Sequence, residues 1–187
     1  CFLPALRESR KNIQYLTGEE VSRIREALGD RMSGLPLRDR AIGMLLMYTG
    51  LRGCDVAGMT LDSIDWKNDR IHIRQQKTEE PLDLPLSAMV GNAIYDYLSS
   101  ERPDSGESRL FLSLTKPFTP LDSGSIGNIT GKIMKEAKVR QSPGMRKGVH
   151  IFRHHVASAL LGNGIPQPVI SRTLGHTAPD SLEPYLR

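Results

Sequence analysis

From Leu37 to Tyr48 the chain reads LRDRAIGMLLMY, polar at first and then almost wholly apolar, a length of about three helical turns. A helix that is apolar on nearly every side has to be buried, so this segment is expected deep in the fold. The chain has 187 residues, 39% of them hydrophobic, enough for a real core in one large domain or in a domain with a small appendage. The helix ends in Thr49-Gly50-Leu51-Arg52. Arg52 therefore leaves rigid packing at a turn that glycine permits, and Asp55, one helical turn on, can hold its guanidinium.

The neighbouring elements follow from local signals. Thr17 and Glu20 form a capping box for a helix through about Leu28, with Gly29 as its stop. Arg70 to Arg74 (RIHIR) and Leu82 to Leu86 (LDLPL) alternate polar and apolar residues. They read as antiparallel strands around a turn near Lys77 to Pro81, with Lys77 at the tip. Ser87 can cap a helix to about Ser100 with Ile94 and Leu98 inward and Tyr95 or Tyr97 at its edge, and Asp122 or Ser123 starts another to about Ala137. The fold class predicted is α+β, mainly α-helical with a small antiparallel β-sheet or hairpin. The sequence has no internal repeat and no Gly-rich nucleotide loop.

Near the C-terminus, His150, Arg153, His176 and Tyr185 are four groups that can bind or attack a phosphate, separated by apolar helical padding. His150 and Arg153 are three apart and share a helix face, backed by Val156, Ala157, Leu160 and Leu161. The pair sits at the start of its helix, where free N–H groups and the positive end of the dipole favour an anion. Gly162 to Gly164 break that helix. Pro166, Val169, Ile170 and Leu174 suggest the next, capped by Gly175, and His176 follows the cap directly. Asp180 or Ser181 can open a last short turn carrying Tyr185.

Charge points to the same region. Between Gly131 and His155 stand Lys132, Lys135, Lys138, Arg140, Arg146, Lys147 and Arg153 against the single Glu136, a positive excess larger than the net +4 of the whole chain. A basic band leading into His150 and Arg153 fits a polyanion partner, which makes the six cations before Arg153 candidate polyanion contacts. The chain contains no run of about 18 apolar residues and no signal-peptide core, so a membrane role is not expected and cytoplasmic residence is the default. Cys1 and Cys54 are too few for a disulfide framework or a Cys-rich zinc site.

HxxR, then LGH, then Tyr at these separations resembles the C-terminal half of the tyrosine recombinases, or phage integrases. TGLR followed by an acid resembles the first-arginine motif of that family, and QQKT before a strand ending in a Pro-Leu pair looks like its hairpin lysine. The resemblance covers about Thr17 to Arg187. It implies a tyrosine recombinase catalytic-domain-like fold at residues 17–187, with 1–16 a linker from a missing N-terminal DNA-binding domain and the C-terminal tail absent. It also implies a catalytic set of Arg52, Lys77, His150, Arg153, His176 and Tyr185 that joins DNA to protein through a 3′-phosphotyrosine without metal, ATP or another cofactor. The partners implied are double-stranded DNA and, in the full-length protein, further copies in a synaptic tetramer, the isolated domain being monomeric. Pro184 directly before Tyr185 departs from the family pattern and bears on how that turn is set.

Other classes make distinguishable demands. A type IB topoisomerase shares the mechanism and relaxes supercoils without synapsis. A non-enzymatic helical DNA-binding module needs the basic band but not Tyr185. A metallo-enzyme would use His150 and His154 at i, i+4, where Arg153 repels a cation and no clear carboxylate or cysteine completes the set.

Overall fold

The Thr17 hydroxyl accepts the Glu20 N–H at 3.2 Å while the Glu20 carboxylate accepts the Thr17 N–H at 2.9 Å, the reciprocal pair that opens α1 (Gly18–Gly29). These distances come from a computed structural model, which describes residues 15–175. The segment expected to be a linker falls almost wholly outside the described residues, as do His176 and Tyr185.

α2 (Leu37–Thr49) is the central element, and Ala41 to Met47 are buried without a break. α4 (Ala88–Ser100), α5 (Ser123–Glu136) and α6 (Val149–Gly162) all pack on it, as does α1. Burial of Ile42, Leu45 and Leu46 contributes roughly 1.5–3 kcal/mol apiece. The polar start of α2 is buried too, and each charge there is answered. Arg38 donates to the Asp39 carboxylate and the Leu112 carbonyl, and Arg40 donates to the Leu28 and Gly29 carbonyls at 2.8 and 3.1 Å. Arg40 thereby satisfies the end of α1, which has no basic residue in its own last turn.

The sheet has three strands in the order β1 (Ile64–Asp65), β2 (Arg70–Arg74) and β3 (Pro81–Pro85), all antiparallel. The hairpin is as expected, with its second strand beginning one residue earlier; β1 is two residues long and offers no periodicity to read. α3 (Gly53–Gly58) and α7 (Gln167–Leu174) complete the described helices. Of the two tyrosines that could stand at the edge of α4, Tyr95 does, and Tyr97 belongs to the core. Tyr97 is fully buried, stacked on Phe111 at 5.7 Å, with its hydroxyl accepting the Leu112 N–H at 3.2 Å, while Tyr95 is the exposed one. Among the described residues no helix is long and apolar enough to cross a membrane.

Candidate active site

α2 stops at Gly50 in the left-handed conformation, with φ of 64°. A Cβ there would also lie 2.9 Å from Leu174 and 3.1 Å from Val156, so glycine lets α6 and α7 close onto the end of α2. Two residues on, Arg52 is the extended N-cap of α3. Its Nη2 donates to the Gly175 carbonyl at 2.6 Å, and its Nη1 stands 3.7 Å from the Asp55 carboxylate. That separation is too long for a hydrogen bond, but the Asp55 side chain is fully buried, so the attraction is weakly screened. The other Asp55 oxygen accepts the Gln76 N–H at 2.9 Å. One carboxylate thus ties Arg52 to the turn of the β2–β3 hairpin.

Arg153, on the second turn of α6, is buried at 6% exposure. Its Nη1 donates to the Gly50 carbonyl at 3.0 Å and its Nη2 to the Leu174 carbonyl. The two arginines therefore grip successive carbonyls, Leu174 and Gly175, at the negative end of α7. Gly175, also left-handed at φ of 64°, is held where the chain passes to His176.

Between the arginines lies a cavity of about 320 Å³. Gly53 and Cys54 open α3 on one side, Ser123 opens α5 on another, and Val149 and His150 open α6 on the third. The approach is close, since a Cβ on Gly53 would lie 3.1 Å from the Ser123 hydroxyl and 3.5 Å from Val149. Helix starts present unsatisfied N–H groups and positive dipole ends, so this cavity combines them with Arg52, Arg153 and His150. That is the chemistry of a phosphate site. A larger cavity of about 560 Å³ between β3 and the end of α7 is lined by Gln75, Asp83 and Arg172 among others; it contains neither Arg52, His150 nor Arg153, and the smaller one holds the chemistry.

Three of the six residues singled out, Arg52, His150 and Arg153, thus line one cavity. Lys77 is exposed in the hairpin turn, next to the Gln76 tie to Asp55. Sequence reasoning missed Gln75, which is buried against Gly175. In QQKT two adjacent glutamines look alike, and only the fold separates the buried one from the exposed one.

The basic band does not form one patch. Arg140 is corrected from a DNA contact to a structural residue, because its guanidinium is buried on the Glu20 carboxylate at 3.0 Å and on the Tyr15 carbonyl. Lys138 lies beyond the end of α5, beside Glu26 and Asp30 of the α1 region and roughly 20 Å along the helix from the cavity end. Lys132 and Lys135 are exposed along α5, Lys132 at 3.9 Å from Asp39, and Arg146 and Lys147 immediately precede α6.

Next to the site, burial holds His154 well below the ordinary histidine value, at about 4, and the charges of His150, Arg146 and Arg153 push the same way. His155 is lowered too, by burial first and then by Arg25. The unfolded chain, with histidines near ~6.5, takes up protons before the folded one, so stability is full above that pH and declines as pH falls toward 4. The melting temperature should drop across that window, and His154→Gln should make the drop shallower. A wild-type melting temperature independent of pH from 6.5 to 4 would show that neither imidazole is held neutral by the fold. Among the described residues no group of three or more His, Cys, Asp or Glu side chains is placed to hold a metal ion.

A family model described as the phage integrase family matches residues 14–187. The chain is similar to the putative integrase/recombinase y4gC of Sinorhizobium fredii (strain NBRC 101917 / NGR234), 38% identical over 151 residues, covering 81% of this chain and 77% of that relative. It is similar to the tyrosine recombinase XerC of Listeria welshimeri at 27% identity over 181 residues, covering 92% of this chain but 57% of that protein. In fold it resembles the crystal structure of XerA recombinase, with a TM-score of 0.79 at 24% identity, covering 99% of this chain and 62% of that one. With the α+β architecture, the cavity between Arg52 and Arg153 and a family match over nearly its whole length, the chain belongs to the phage integrase family.

Proposed function

We propose that residues 17–187 act as the catalytic domain of a site-specific DNA recombinase that breaks and rejoins strands through a 3′-phosphotyrosyl intermediate. The observation that carries this is the convergence of Arg52, His150 and Arg153 on one cavity ringed by three helix starts, in a chain of this family. The scissile phosphate sits between the arginines, whose planar forks stabilise charge on its non-bridging oxygens. The Tyr185 oxygen attacks phosphorus and His150 takes the phenolic proton. The bond from phosphorus to the 5′ oxygen breaks, and Lys77 supplies the proton that this oxygen needs to leave. His176 donates a further hydrogen bond to the phosphate. A 5′ hydroxyl from another strand reverses the step. The partner is double-stranded DNA, with Lys132, Lys135, Arg146 and Lys147 as backbone contacts and Lys138 at the outer edge. Assembly of the full-length protein into a tetramer on DNA and residence in the cytoplasm belong to the same proposal.

The test is covalent capture. A pool of nicked duplexes with randomised sequence is incubated with the protein, and SDS-resistant protein–DNA adducts are recovered and sequenced. Recovery of a defined sequence joined through its 3′ phosphate is expected. DNA binding without any adduct would leave only a binding module.

The captured sequence then tests the hairpin lysine. Lys77→Ala should lose cleavage of the natural strand by about 10²-fold and regain most of it when the 5′ bridging oxygen is replaced by sulfur, because a thiolate leaves without a proton. Equal defects on both substrates would point to Arg74 or to no acid in the hairpin.

A further inference from the structure

We propose that Gln75 is a positioning residue that docks the Lys77 turn onto the arginine core; this rests on the reading of Lys77 as the general acid. Gln75 follows the last residue of β2 and is 2% exposed, although Arg74 and Gln76 on either side are exposed. Glutamine is seldom buried this deeply. Its main chain closes the turn, the N–H donating to the Glu80 carbonyl at 2.9 Å and the carbonyl accepting the Glu79 N–H at 2.8 Å. Its side-chain oxygen accepts the Thr78 hydroxyl at 2.8 Å. Lys77 is thus enclosed in a loop that Gln75 fastens through both backbone and side chain.

The same amide lies against the far segment. A Cβ on Gly175 would be 1.9 Å from the Gln75 Nε2 and 2.1 Å from its Oε1, so the contact needs a glycine for space as well as for its φ. The Gly175 carbonyl is the one that Arg52 holds, and the preceding carbonyl is held by Arg153. Gln76 adds a second tie, through its N–H to the partner carboxylate of Arg52. Two successive residues therefore anchor the turn on the two groups that flank the Arg52 guanidinium. The Gln75 Nε2 is buried and has no hydrogen-bond partner among the described residues. An unpaired buried donor destabilises a fold, whereas an apolar side chain of similar length would fill the space without that penalty. The amide is accordingly explained by a double role: its oxygen fastens the turn through Thr78 while its other side packs on the helix end at Gly175, a hundred residues away. A general acid has to come within hydrogen-bond reach of the leaving oxygen, and a misplacement of about 1 Å can lower a rate on the order of 10²-fold.

The experiment compares Gln75→Met, which keeps the volume and removes the amide, and Gln75→Ala with the unmodified 187-residue chain. Amide hydrogen exchange without DNA is expected to quicken about tenfold or more at residues 76–80 and at Gly175 together, with the α2 amides unchanged. On the captured sequence, cleavage is expected to fall by about tenfold to 10²-fold, with DNA affinity retained and most of the loss restored by the 5′-sulfur substrate. Faster exchange at the hairpin with Gly175 unaffected, or no change at either segment, would overturn the coupling. So would equal defects on the oxygen and sulfur strands in a protein whose Lys77→Ala variant is rescued by sulfur. If Lys77→Ala is itself not rescued, the general-acid reading fails, and the exchange arm still decides whether Gln75 joins the two segments.

Discussion

Arg153→Lys is expected to lower DNA cleavage by roughly 10²-fold or more, the scale of losing one oxyanion donor, and to lower the melting temperature of the same protein. Both effects come from the same fork. The guanidinium carries five N–H donors in a plane, and two of its bonds here fix the ends of α2 and α7 through the Gly50 and Leu174 carbonyls. A lysine ammonium keeps the charge but cannot span both carbonyls while facing a phosphate. One carbonyl is then left buried and unpaired, which costs about 1–3 kcal/mol, or a few degrees of melting temperature in a domain of this size. Arg52→Lys is expected to differ. Among the described residues Arg52 holds only the Gly175 carbonyl by a hydrogen bond and meets Asp55 at 3.7 Å, an attraction that an ammonium can partly replace. Its cleavage defect should be as deep and its melting temperature nearer to wild type. Cleavage by Arg153→Lys within about threefold of wild type would remove Arg153 from the phosphate and leave it a structural residue.

That contrast between the arginines shows where sequence reading succeeds and where it stops. The path from α2 through Gly50 to Arg52 is written locally: an apolar run, a glycine and an arginine at its end suffice to place the side chain at the rim of the core. The Thr17–Glu20 box, the β2–β3 hairpin and the Gly175 cap are local in the same sense, each set by residues within one turn of each other. Arg140 is not. It stands in a run of cations, and charge along a sequence carries no direction. Lys138 and Arg140 both have positive φ, at 54° and 51°, so the chain turns sharply between neighbours that a linear count treats as one band. The partner that draws Arg140 inward, Glu20, is 120 residues away and was already assigned to the cap of α1. The choice between Tyr95 and Tyr97 stays open in the sequence for a related reason. Helical spacing allows either at the edge, and what draws Tyr97 inward, Phe111 and the Leu112 N–H, comes from a later segment with no regular period. Gln75 needed Gly175, again a contact a hundred residues distant.

Tyr185→Phe is expected to abolish covalent attachment altogether while leaving DNA affinity within about tenfold, and the two halves of that expectation rest on different physics. The adduct requires a bond between the phenolic oxygen and phosphorus, so removing the oxygen eliminates the reaction rather than slowing it. Affinity depends on phosphate contacts made by cations and helix starts, to which one hydroxyl adds about 0.5–1.5 kcal/mol at most. Reach does not restrict the assignment. About ten residues separate Gly175 from Tyr185, a length that can span up to ~33 Å, and the Gly175 carbonyl is itself 2.6 Å from Arg52, which lines the cavity. Three of the four described tyrosines are poorer candidates. Tyr97 is buried with its oxygen engaged by the Leu112 N–H, the Tyr48 hydroxyl bonds the Met89 sulfur at 3.1 Å, and Tyr95 is on α4 with its ring 6.4 Å from Trp66, outside the cavity lining. At a phenol pKa of ~10, only about one molecule in 10³ is ionised at neutral pH, so attack needs a base, and His150 stands on the cavity wall. His150→Ala should therefore slow adduct formation at pH 7 and recover part of the loss as pH rises toward 10, whereas Tyr185→Phe should show no adduct at any pH. An SDS-resistant adduct from Tyr185→Phe, with the modified peptide mapped to another tyrosine, would transfer the nucleophile and overturn the mechanism proposed for this cavity.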